Sequence, residues 1–231
     1  MTSPLTARTI ARLSPLPRSF YDRDPRLVAR ELLGKLLIRC QGGPHPPSFG
    51  ECGEQVILAG RIVEAEAYLG AIDPGAHSYR GLTPRNAVLF GPPGHAYIYF
   101  IYGNHYCTNV SCQAPGEAGG VLLRALEPVC GLDEMRALRG IPVLGANPTR
   151  SQLRQLTSGP GRLSQALAIT RARDNGCDLC SRSSGLYIAD DGQPAAAISA
   201  TPRINVTHAP HDEWRFILTG NPFVSGKKAL S

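Results

Sequence analysis

The chain has 231 residues with 42% hydrophobic content, enough for an ordinary core and consistent with one domain. Its 24 Lys+Arg against 18 Asp+Glu give a formal charge of +6, which favours a polyanionic partner, and no run of like charges marks a disordered basic tail. The longest apolar run, seven residues near Ala96 to Tyr102, falls far short of the roughly 20 needed to span a bilayer, and the 25 Gly and 20 Pro argue against a long helical bundle.

Taken in chain order, residues 1–18 contain Pro4, Pro15 and Pro17 without sustained periodicity and read as a flexible lead-in, ahead of a domain over 19–231. Asp24-Pro25 reads as an N-cap with proline in the first helical position, Leu27, Val28, Leu32 and Leu33 as an apolar stripe, and Gly34 as the stop. Lys35 to Cys40 reads as a strand and Gln41 to Glu54 as a surface connection. In Gly60 to Gly70 an extended chain places Ile62, Glu64, Glu66 and Tyr68 on one face and Val63, Ala65 and Ala67 on the other. Burying an unpaired carboxylate is costly, so the acidic face is expected to be wet or functional. Ala71 to Gly94 reads as an irregular segment carrying His77.

Tyr97 to Tyr102 reads as a hairpin arm that turns at Gly103-Asn104, with Tyr97, Tyr99 and Ile101 on one face and Ile98, Phe100 and Tyr102 on the other. Stacked aromatics beside an acid suit a flat ligand such as a nucleobase. The hairpin returns through His105 to Cys112. Val121 to Leu126 reads as a strand whose Arg124 points away from Val121, Leu123 and Ala125, and Leu132 to Leu138 as a helix closed by Gly140. Ile141 to Arg150 is read as a loop. Ser158-Gly159-Pro160-Gly161 opens a helix over Arg162 to Ile169, which reads either as an ordinary helix start or as a set of amides able to hold a phosphate. Asp174 to Pro194 looks polar and turn-rich, and Arg203 to Val206 and Trp214 to Leu218 read as closing strands.

Seven cysteines, an odd number in a chain showing no secretory signal, read as free thiols in a reducing compartment. Cys177-Asp178-Leu179-Cys180 lacks two further zinc ligands at sensible spacing, so no metal is expected there. Asn205-Val206-Thr207 fits a glycosylation sequon and is read as coincidence.

Several stretches resemble the alkyladenine, or 3-methyladenine, DNA glycosylase family, in that family's order: Arg61 to Gly70, Ala76-His77-Ser78, Thr83-Pro84-Arg85-Asn86, Tyr97 to Gly103, Val121 to Pro128, Ser158-Gly159-Pro160 and Gly220 to Ser225. The resemblance runs from about Phe20 to the end. It implies an α+β fold, a single compact domain with a curved, mostly antiparallel sheet, flanking helices and a protruding β-hairpin. It implies a monofunctional enzyme that flips damaged purines out of duplex DNA and hydrolyses the base–sugar bond without a metal or cofactor. Carried over position by position, Glu66 becomes the general base and Arg124 the group that positions water and nucleotide. Tyr68, His77, Tyr99, Asn109 and Leu122 become the base pocket, with Asn109 excluding guanine. Tyr102 fills the gap in the duplex, and Arg85, Ser158 and Gly159 grip the DNA backbone. The sequence departs from the pattern at Asn104-His105 and in the 41–54 loop. No lysine falls at a position for an amine nucleophile, so hydrolysis alone is expected.

The partner implied is double-stranded DNA holding a damaged purine, acted on by a monomer, with no membrane role. The expected location is the cytoplasm, by the nucleoid, in a bacterium, or the nucleus in a eukaryote. Glu64 is read as partner to an arginine such as Arg61 or Arg85. Two rival readings remain open at this level: a non-catalytic module that binds damaged DNA, and a sugar hydrolase using two carboxylates.

Overall fold

The structure, a computed structural model, describes residues 5–41, 56–101, 103, 105–145, 147–194, 196–208 and 211–226. The chain starts with helix α1 (Ala7–Ile10), held by a reciprocal cap between Thr6 and Thr9. Residues 5–18 therefore depart from the flexible lead-in read from sequence: Ile10 is buried, and the Leu16 amide donates to the Ile188 carbonyl. One more turn, α2 (Arg18–Tyr21), precedes α3 (Pro25–Leu32), where the Asp24 carboxylate accepts from the Arg26 amide as its cap. The apolar face of α3 buries Val28, Ala29 and Leu32.

Strands β1 (Leu36–Gln41) and β2 (Val56–Tyr68) pair antiparallel. The hairpin β3 (Ala96–Ile101) and β4 (His105–Cys112) leads into β5 (Gly119–Cys130). Helices α4 (Leu132–Leu138), α5 (Arg150–Thr157), α6 (Pro160–Ala166) and α7 (Arg171–Asp174) follow, then β6 (Leu186–Ala189), β7 (Ile198–Thr201) and β8 (Arg215–Leu218). Among the described residues these strands form one sheet in the order β3-β4-β5-β2-β1-β6, with β8 joining β2 and β7 joining β8. All its pairings are antiparallel. On its edge away from β5, β2 pairs with β1 along Val56 to Arg61 and with β8 along Glu64 to Glu66, so the sheet divides there and curls.

The register of β2 against β5 slips between Ala59 and Gly60, between Ile62 and Glu64, and between Glu64 and Ala65. Such bulges bend a strand and re-aim its side chains. Ile62 consequently joins Val63, Ala65 and Ala67 in the main core instead of sharing a face with the two glutamates, as simple alternation predicted. That core lies between the sheet and helices α3, α5 and α6, with Val28, Leu156, Leu163, Ile98 and Leu123 among its residues. The opposite face carries a smaller cluster of Ile10, Leu36, Ile38, Ile57, Ala59, Tyr187 and Ala189.

Three elements differ from the sequence reading. The tract 174–194 contains β6, all four of whose residues are buried. Helix α5 begins where a loop was expected to end, capped by Thr149. Arg203 to Val206 is not a strand, because Asn205 adopts a left-handed φ of 60°; the strand lies earlier, at β7. Among the described residues no helix is long and apolar enough to cross a membrane.

Candidate active site

Glu64 and Glu66 lie where the bulged β2 sits between β5 and β8, and neither has any exposed surface. The acidic face is thus not wet, as the alternation argument allowed; it is buried and paired. The Glu66 Oε2 atom accepts from the Tyr68 hydroxyl at 2.9 Å and from Arg124 Nη1 at 3.2 Å, while Oε1 accepts from the Ile204 amide at 2.7 Å. Glu64 Oε1 accepts from Arg124 Nε at 3.0 Å and Arg215 Nε at 2.7 Å, and its Oε2 from the Ser225 amide at 2.5 Å. Arginine is therefore the partner type foreseen for Glu64, but the residues are Arg124 and Arg215. Arg61 instead pairs with Asp191 at 2.7 Å.

Beside this network opens a cavity of about 630 Å³, within the usual range for a small-molecule site. Its walls include Tyr68, His77, Tyr99, Asn109, Leu122 and Arg124, so six residues proposed from sequence converge on one space. Register explains much of this: Tyr97 pairs with Asn109, Asn109 with Leu122, and Leu122 with Glu66, a row running across four adjacent strands. Alternation then sends Val121, Leu123 and Ala125 into the core and Leu122 and Arg124 into the cavity. Glu66 itself stands behind the wall, held by three cavity-lining residues: Tyr68, Arg124 and Ile204. A carboxylate offers about four acceptor positions and three are taken, which leaves one for a further donor.

The aromatic wall is tightly organised. The His77 ring meets Tyr99 edge-on with centroids 4.5 Å apart, and its Nδ1 lies 3.2 Å from the Tyr97 hydroxyl. His77 is exposed at the cavity, and desolvation by the protein around it, with the Arg85 cation adding, lowers its pKa. Burial likewise raises the Tyr68 phenol, with Glu66 reinforcing the shift, and raises Tyr99, so both stay protonated and able to donate.

A lowered folded-state value means that the unfolded chain binds the His77 proton more readily. The stability due to neutral His77 is therefore present above the ordinary value of 6.5 and declines as pH falls below it. We expect the imidazole to titrate below 6.5 when followed by NMR, and Arg85→Ala to move its midpoint upward. A midpoint at or above 6.5 would contradict this account of the pocket.

Other predicted residues are placed differently. Arg85 is exposed and acts electrostatically on His77 and Tyr97. The Ser158 hydroxyl donates to the Phe223 carbonyl at 2.5 Å and its amide to the Arg154 carbonyl at 3.1 Å, so both donors are engaged within the protein. Gly159 lines the cavity just before α6. The Asn109 amide nitrogen donates to the Tyr97 carbonyl at 3.1 Å, which orients the side chain within the wall. Tyr102 and Asn104 lie outside the described residues.

Sequence reasoning overlooked Tyr97, Ile204, Arg139 and Arg162, all of which line the cavity. Tyr97 was legible, since it shares the Tyr99 face. Ile204 was not, because its contribution is a backbone amide. Arg139 and Arg162 approach closely enough for the second to depress the pKa of the first, after the larger effect of burial. They give the mouth a cationic rim. Cys177 and Cys180 are free, and burial pushes their thiols up to about 12 and about 11, which makes them weak nucleophiles near neutral pH.

The sequence model of the family described as Methylpurine-DNA glycosylase (MPG) matches residues 19–222. Relatives bearing the provisional name 3-methyladenine DNA glycosylase include one from Koribacter versatilis, 55% identical over 222 residues, covering 96% of this chain and 98% of the relative. One from Burkholderia lata is 47% identical across 91% of each chain, and one from Methanoculleus marisnigri is 46% identical across 91% of this chain and 98% of its own.

Proposed function

The chain belongs to the methylpurine-DNA glycosylase family, and from that premise we propose that it hydrolyses the base–sugar bond of damaged purines in duplex DNA, with the purine flipped into the 630 Å³ cavity. The observation that carries this reading is the juxtaposition of a buried, three-quarters-satisfied carboxylate, Glu66, with an aromatic cavity large enough for a purine.

In the proposed step Glu66 takes a proton from a water as the water oxygen bonds to the sugar C1′. The C1′–N bond breaks and its electron pair leaves with the base. Arg124 holds the carboxylate and faces the cavity, so it can orient the nucleotide. Extruding a nucleotide costs a few kcal/mol, and Tyr68, His77 and Tyr99 offset this by stacking on the base. An alkylated purine carrying positive charge gains about 0.5–2 kcal/mol more from the aromatic faces, a contribution that a normal base lacks. The cationic rim of Arg139 and Arg162 and the exposed Arg85 suit the phosphate backbone.

Release without strand cleavage is the proposed outcome because, among the described residues, no lysine lines the cavity. Lys35 pairs with Asp190, and the other two lysines, Lys227 and Lys228, lie outside the described residues. The two-carboxylate alternative is disfavoured by Glu64, both of whose oxygens are committed to Arg124, Arg215 and the Ser225 amide. The test is a panel of duplex oligonucleotides, each carrying one modified purine. Base release should leave an abasic site that breaks only after alkali, and binding should weaken steeply with added salt. If no modified purine is released while damaged duplex is still bound, the protein is a binding module.

A further inference from the structure

Arg203 is buried, with its side chain 1% exposed, and it has no place in the reaction described above. It touches three parts of the site at once. Its guanidinium carbon lies over the Tyr68 ring, 4.7 Å from the centroid, and over the Trp214 ring, 4.8 Å from the centroid, so one cation contacts two aromatic faces. Nη1 and Nη2 form a fork onto Asp73, at 2.6 Å and 2.8 Å, and Nη1 also donates to the Ala67 carbonyl at 3.0 Å. Asp73 in turn accepts from the amides of Leu69 and Gly75, which fixes the turn leading to His77. The next residue, Ile204, supplies the amide that holds Glu66, and Ile204, Asn205 and Val206 close one side of the cavity.

We infer that Arg203 is a positioning residue for base excision, a planar cation that sets the aromatic wall, the His77 turn and the Glu66 carboxylate in one mutual geometry. This rests on the excision reading above. The inference depends on planarity and not on charge alone: an ammonium can pair with Asp73, but it can neither fork onto both oxygens nor present a flat face to two rings.

The test is Arg203→Lys, assayed on a duplex whose modified purine the wild type releases. Single-turnover rate at saturating enzyme is measured beside the dissociation constant for the same duplex. Emission of Trp214, the chain's one tryptophan, reports the stack directly. We expect the rate to fall at least ~10-fold, with affinity within about 3-fold and Trp214 emission altered, because small misplacements of reacting groups are costly. A wild-type rate accompanied by altered emission overturns the inference, as does an equal loss of rate and affinity. If the lysine variant does not fold, Trp214→Leu removes one side of the stack while sparing the Asp73 pair. A rate at least ~3-fold lower at unchanged affinity is then expected, and an unchanged rate overturns the inference. Failure of the wild type to release any purine refutes the excision reading and this inference with it. Wild-type release with an unimpaired lysine variant refutes this inference alone.

Discussion

Glu66→Gln is expected to lower single-turnover release of a modified purine by about 10²-fold or more while leaving duplex affinity nearly unchanged. The amide matches the carboxylate in size, so the cavity keeps its shape, but it cannot accept the proton of the attacking water. Stability should fall as well. In wild type Oε1 faces the Ile204 amide and Oε2 faces Tyr68 and Arg124, all donors, so the glutamine NH₂ group must sit against at least one of them. Thermal unfolding measured beside the rate separates the two effects. Retention of most of the excision rate would remove Glu66 from the chemistry and revive the reading of the protein as a binding module.

Glu64→Ala should act in the opposite sense, on folding first. The fully buried carboxylate is the shared acceptor of Arg124 and Arg215, each of which is only 10% exposed at its side chain. Its removal leaves two guanidiniums short of a counter-charge in the interior. Breaking a buried pair from one side costs about 3–5 kcal/mol, because the remaining partner stays desolvated and unpaired. Against a total stability of about 5–15 kcal/mol, that loss brings the variant close to unfolding at physiological temperature. The midpoint of urea denaturation gives the check, and a loss below about 1 kcal/mol would mean that Arg124 and Arg215 find other partners. Two glutamates separated by one residue are thus held differently: Glu64 by Arg124, Arg215 and the Ser225 amide, and Glu66 by three cavity-lining residues.

The buried charges of the site lie in pairs and not alone. Arg124 divides its donors, with Nε to Glu64 and Nη1 to Glu66. Because it does not fork onto Glu66, that carboxylate accepts three hydrogen bonds and keeps one acceptor position. Arg203, by contrast, forks fully onto Asp73. Lone buried charges would be costly at each of these places, and sharing guanidiniums among acids lets three carboxylates, Glu64, Glu66 and Asp73, lie in the interior without exposed surface.

Local physics reaches far along this chain. The Asp24-Pro25 start of α3, the β3–β4 arms and the division of β5 into a core face and a site face follow from capping chemistry and two-residue alternation, which act between near neighbours. The same alternation put Tyr99 and Tyr97 on one side and Arg124 opposite its apolar neighbours. Motif resemblance joins Glu66, Tyr68, His77, Tyr99, Asn109 and Leu122 into one expected site. Alternation failed at Ile62, since the bulge that turns this residue into the core depends on how β5 pairs with β2, a contact some sixty residues distant in the chain. β6 escaped notice for a related reason: its four-residue apolar run in a polar tract gains meaning only when β1 lies beside it.

The residue types of the chemistry, an acid with aromatics and an arginine on alternating strands, were determined by the sequence alone, because side-chain identity and strand period need no tertiary information. Which arginine meets which acid, the commitment of the Ser158 donors to Phe223 and Arg154, and the gift of the Ile204 amide to Glu66 were decided only by the fold. These are long-range pairings, and a backbone amide carries no signature in its side chain.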